Sequence, residues 1–129
     1  MKAPGRPCTA CPWVVTNTAG DIPAYDHDKA EKLAATSPDR DGMGPEFGAP
    51  IFACHDSRPG EEFTCAGWLA TVGDAHPNVR LAVIRGVLDP ARLAHRPGWP
   101  ALHDTFQQVI TKLRRTRPKE ATHGRRVQP

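Results

Sequence analysis

Four cysteines constrain this chain more than any other feature: Cys8, Cys11, Cys54 and Cys65, spaced C-x2-C-x42-C-x10-C. They stand in a sequence with little else to hold a fold together. Leu, Ile, Val and Phe account for 23 of the 129 residues, while Pro and Gly account for 25. Such a chain lies near the border where apolar burial no longer offsets the entropy of ordering. Small domains of this composition need a staple, and a structural metal supplies on the order of 10 kcal/mol of folding free energy.

The pattern suits a metal. Two cysteines on one short turn, Cys8 and Cys11, can converge on a tetrahedral ion as a backbone knuckle. Cys54, at the end of a short apolar run, and Cys65, at the start of a helix, can meet them there. Four soft thiolates complete a closed shell for one Zn2+, the first expectation. They serve equally as the four ligands of an iron–sulfur cluster, the close alternative. Pro12 directly after Cys11 favours the cluster, as do Trp13 and Trp68, which lie beside cysteines and either shield the site from water or pack in the core. His55, next to Cys54, is the one histidine placed as an alternative ligand or a support to the ligands, because neighbours on a strand face opposite ways. Asp56, Ser57, Arg58, Glu61 and Glu62 form a polar cluster on the following turn. The remaining histidines read as surface residues.

The expected fold is mainly α with a small irregular and β part: one metal-stapled domain over residues 1–115 and a basic, disordered tail over 116–129. Residues 1–25 are irregular, with Pro4, Pro7, Pro12 and Pro23. A helix is predicted over 26–36, capped by Asp26 or Asp28 and stopped by Pro38. Ile51 to Cys54 reads as a short strand. Cys65 opens a helix to about Gly73, in which Gly67 costs about 1 kcal/mol against Ala and so marks a close backbone approach. The next helix runs from Pro77, at a favoured first position, to about Arg85, with Gly86 as its stop and Val79, Ala82, Val83 and Val87 as its apolar stripe. One more turn runs from Asp89 to Ala94. The last helix is predicted from Pro100 to Arg115, since Leu102, Phe106, Val109, Ile110 and Leu113 recur at spacings of three and four.

Several function classes drop out. No apolar run approaches the roughly 20 residues of a membrane span. MKAPGRPC has no apolar stretch behind its basic residues, so a secretory signal is not expected and a cytoplasmic location is. No His-x-Glu accompanies Pro7-Cys8-x-x-Cys11, as deaminase chemistry requires. Neither HExxH, G-x-S-x-G nor a phosphate-cradling glycine loop occurs. The net charge of +3 hides an asymmetry: Lys112, Arg114, Arg115, Arg117, Lys119, Arg125 and Arg126 face one acid, Glu120. Any nucleic-acid affinity is expected in this tail, weak and salt-dependent.

Pro7-Cys8-x-x-Cys11-Pro12-Trp13, Gly20-Asp21-Ile22-Pro23, Phe52-x-Cys54-His55-x-Ser57-Arg58-Pro59-Gly60-Glu61-Glu62 and Cys65-Ala66-Gly67-Trp68 resemble a family of small uncharacterised four-cysteine proteins of actinobacteria and their phages. The resemblance covers about residues 7–115, with Val14 where members commonly carry Arg, and implies no particular activity. The expected function is that of a small non-enzymatic metal-binding protein, its metal mainly structural, acting as a binding or regulatory module toward a protein partner or nucleic acid. The alternatives are an iron–sulfur redox or sensor protein and, less favoured, a metal-dependent enzyme using His55 and the nearby acids.

Overall fold

A computed structural model describes residues 2–54 and 63–118. Its helices are short and each begins where a cap residue permits. Asp26 accepts the backbone N–H of Lys29 at 3.2 Å and starts α1 (His27–Lys32), which tightens into a 3-10 turn, Leu33–Thr36, before Pro38. Cys65 caps α2 (Ala66–Val72), its Sγ accepting the N–H of Trp68 at 3.5 Å. Pro77 opens α3 (Pro77–Ile84), and Gly86, at φ 76°, ends it in the left-handed conformation that Gly adopts without strain. Asp89 caps a further 3-10 turn, Pro90–Leu93. Thr105 caps α4 (Phe106–Thr116), accepting the N–H of Gln108 at 3.2 Å. The result is a small, mainly helical fold. No helix among the described residues is long and apolar enough to cross a membrane.

Two expectations are corrected. The last helix starts at Phe106, not Pro100. Residues 101–103 instead run extended beside the N-terminal segment: Val15 N–H donates to Ala101 O at 3.0 Å, and His103 N–H donates to Trp13 O at 2.9 Å. Val14 and Leu102 form an isolated antiparallel bridge. Thr105 caps the helix after this pairing has claimed the backbone groups upstream. The strand predicted over 51–54 is likewise a single antiparallel bridge between Ala53 and Thr64, flanked by Cys54 N–H to Phe63 O at 2.6 Å and Cys65 N–H to Phe52 O at 2.8 Å.

The core lies where the N-terminal segment, α2 and α4 meet. Trp13 and Trp68 are fully buried, and Trp13 packs edge-on to Phe52 with ring centroids 6.1 Å apart. From α4, Phe106, Val109, Ile110 and Leu113 are buried, as their spacing predicts. Val87, assigned to the stripe of α3, is 58% exposed, and Leu88 is buried in its place. Gly86 turns the chain between helix and core, which moves the inward position on by one residue. Thr116, placed in the tail by sequence, belongs to α4, where its hydroxyl accepts Ala19 N–H at 3.0 Å and donates to Lys112 O at 2.8 Å.

Candidate metal centre

Cys8 and Cys11 bound a turn closed by Cys11 N–H donating to Cys8 O at 3.1 Å. Such a turn exposes the amides that follow each cysteine. The backbone amide of Ala10 favours the thiolate of Cys8, and those of Trp13 and Val14 favour that of Cys11. On the other wall, the N–H groups of Gly67 and Trp68, at the start of α2, are turned to Cys65. Amide dipoles aimed at a sulfur favour its thiolate form, the form that binds metals.

Two of the thiols meet, and the other two share a groove. Cys11 Sγ and Cys65 Sγ are 3.6 Å apart and buried. Cys8 and Cys54 interact through their side chains and line one groove of 780 Å³ together with Arg6, Asn17 and Phe63. In the inner pair, contact with Cys11, aided by burial, holds Cys65 well above the ordinary thiol value. Cys11 is held below that value by its contact with Cys65 and, against burial, by its backbone donors and the Lys112 ammonium. In the outer pair, burial and then the charge of Cys54 push Cys8 up to about 12. Among the described residues no three His, Cys, Asp or Glu side chains converge as a closed single-ion shell requires.

Gly67 makes the inner contact possible. A Cβ there would stand 3.0 Å from Cys11 Sγ and 3.0 Å from Trp13 Cβ, so the close approach read from sequence is the contact between α2 and the Cys11 turn. The two tryptophans differ in surroundings. Trp13 shares the space against Gly67 with Cys11. Trp68 donates its indole N–H to Thr36 O at 3.2 Å and Ser37 Oγ at 3.1 Å, and packs against His76.

Two buried basic residues escaped the sequence reading. Lys112, counted there among tail contacts for nucleic acid, is only 6% exposed, so it is not free to make them. Its ammonium donates to Pro12 O at 2.9 Å and Val14 O at 2.8 Å, tying α4 to the segment after Cys11. Burial lowers its pKa to about 8. The signal was its register: Lys112 adjoins Leu113 and lies three residues after Val109, at the edge of the apolar stripe. His76, read as a surface residue, is fully buried. Its Nδ1 accepts Asn78 N–H at 3.1 Å, and its Nε2 faces Ala49 O at 3.0 Å and Pro50 O at 3.1 Å. Of the other basic residues assigned to the tail, Arg114 makes two bonds to Glu31, at 2.7 and 2.8 Å, while Arg115 and Arg117 are exposed. His55, Asp56, Ser57, Arg58, Glu61, Glu62, Lys119, Arg125 and Arg126 lie outside the described residues.

With this geometry in hand, comparison with known proteins gives one match. Residues 3–126 match the model of a family of unknown function, DUF6283. The chain belongs to that family. No curated protein and no solved structure matches it significantly. The DUF6283 match takes in all four cysteines and both halves of the pairing described above.

Proposed function

We propose that this DUF6283 chain is a small non-enzymatic metal-binding protein in which Cys8, Cys11, Cys54 and Cys65 hold a metal that staples the fold, and that it acts as a binding or regulatory module. The observation that carries this reading is the contact of Cys11, from the C-x2-C turn, with Cys65 at 3.6 Å, beside a groove lined by Cys8 and Cys54, with backbone amides favouring the thiolates of Cys8, Cys11 and Cys65. Four thiols so placed, with backbone amides and the Lys112 ammonium favouring the Cys11 thiolate, supply the soft anionic ligands a metal takes. Thiolates of this softness select zinc or iron–sulfur. A cytoplasmic setting, where thiols stay reduced, suits such a site.

The test combines metal analysis with single replacements. Each of Cys8→Ser, Cys11→Ser, Cys54→Ser and Cys65→Ser should lower the metal content of purified protein, and chelation of the parent should reduce its helical signal. A metal-free parent with the same helical signal and melting temperature as freshly purified protein would sink this reading.

A further inference from the structure

The pairing of the thiols discriminates between a single ion and a cluster. A zinc–thiolate bond of about 2.3 Å sets every sulfur–sulfur edge of a tetrahedral four-thiolate site at about 3.8 Å, so all four sulfurs must be mutual neighbours. The Cys11–Cys65 separation of 3.6 Å fits one such edge. The remaining edges are not assembled, because no three ligating side chains among the described residues converge. Cys11 stands in contact with Cys65 instead, and Cys8 and Cys54 line a common groove.

The backbone explains this grouping. Ala53 is bridged to Thr64, so Phe52 and Cys54 on one segment and Phe63 and Cys65 on the other share one face of the ribbon. Cys54 lies opposite Phe63, and Cys65 opposite Phe52. The two cysteines are therefore diagonal neighbours, a relation that separates residues by roughly 7–8 Å on a regular ribbon. The Cys8–Cys11 turn lies against this diagonal: Cys11 meets Cys65 at 3.6 Å, and Cys8 lines the same groove as Cys54. A C-x2-C turn whose two sulfurs go to different partners presents two adjacent two-thiolate sites.

We infer that the four cysteines bind a binuclear iron–sulfur cluster of the [2Fe–2S] class, Cys11 and Cys65 on a buried iron and Cys8 and Cys54 on an outer iron beside the 780 Å³ groove. Two thiolates per iron is the ligand count of a [2Fe–2S] centre held by cysteine alone. A cubane cluster, with each thiolate on its own iron, does not suit thiols already in contact. The surroundings match a cluster: backbone amides favour the thiolates of Cys8, Cys11 and Cys65, and Trp13, fully buried, packs with Cys11 against Gly67. This inference rests on the four-thiolate reading above and specifies its occupant.

The test is the stoichiometry of the full chain, produced with iron supplementation and purified without oxygen. Iron, zinc and acid-labile sulfide are measured per chain, with electron paramagnetic resonance after reduction by dithionite. The expected result is two irons and two sulfides per chain, with visible absorption that bleaches on reduction and a spin-one-half signal. One zinc, or one iron without sulfide, would overturn the cluster while leaving the four-thiolate reading intact. Four irons with four sulfides would do the same. Protein without metal, carrying Cys11–Cys65 and Cys8–Cys54 disulfides, would overturn both.

Discussion

Gly67 stands where any side chain would strike Cys11: a Cβ at this position lies 3.0 Å from the Cys11 sulfur, and Trp13 leaves no more room on the other side. Two effects oppose each other in Gly67→Ala. The helix gains about 1 kcal/mol of propensity, while overpacking in a filled core costs about 1–3 kcal/mol. Trp13, Cys11 and α2 are all buried and have little room to yield, so the clash wins. The variant should melt lower than the parent and retain less metal, as thermal unfolding and metal analysis of the same preparation will show. A variant more stable than the parent would mean that the Cys11 turn can move away from α2.

Lys112 is the hinge pin between α4 and the Cys11 segment. Lys112→Met keeps the aliphatic stem but leaves Pro12 O and Val14 O without their charged donor. Losing two hydrogen bonds to a charged group and stranding the Pro12 carbonyl, while Val14 O keeps the N–H of Asn17 at 3.1 Å, should cost about 2–4 kcal/mol. Urea unfolding at neutral pH will measure this. Surface variants such as Arg115→Met should stay within about 0.5 kcal/mol of the parent.

His76 is a capping residue in a place where Asn or Ser is usual. His76→Ala removes the acceptor for Asn78 N–H and the group facing Ala49 O and Pro50 O, and it leaves a void beside Trp68. A loss of about 2–4 kcal/mol is expected from the cap, the buried polar groups and the cavity together. His76→Asn restores the cap alone and should recover only part of it in thermal melts.

Glu31 gives the protein an acid limb. Its carboxyl is held below the usual range chiefly by hydrogen bonds from Arg114, with His27 adding to the effect. A carboxyl lowered in the folded state contributes stability that is present above its unfolded value, here 4.5, and lost as pH falls through the folded value. Stability should therefore drop below about pH 4.5, and Glu31→Gln should flatten that part of the profile. The effect is small because the pair is solvent-exposed. Denaturant midpoints measured from neutral pH down through the acid limb will show whether the two profiles converge.

Any affinity for nucleic acid should reside beyond the core. Lys112 is buried and Arg114 is engaged by Glu31, which leaves Arg115, Arg117 and the residues after them to meet phosphate. Binding to labelled duplex should be weak, indifferent to base sequence and steeply salt-dependent. It should fall sharply in a chain ending at Arg117. Sequence-specific binding that survives this truncation would place the contact on the folded body.

Local chemistry alone determined much of this molecule. Asp26, Cys65, Pro77, Asp89 and Gly86 carry their start and stop signals in their own side chains or backbone freedom, so the helix ends near them are legible from sequence. The C-x2-C turn and the meaning of Gly67 are legible for the same reason. Tertiary structure decided the rest, because those outcomes depend on partners distant in the chain. Residues 101–103 leave the helix to pair with Trp13 and Val15, a choice that periodicity around Phe106 does not register. His76 and Lys112 are polar by composition and buried by position, since carbonyls at 49, 50, 12 and 14 receive them. The division of the cysteines into 11 with 65 and 8 with 54 is of the same kind. Spacing says that four thiols can meet, and only the register of the Ala53–Thr64 bridge against the Cys8–Cys11 turn says which meets which.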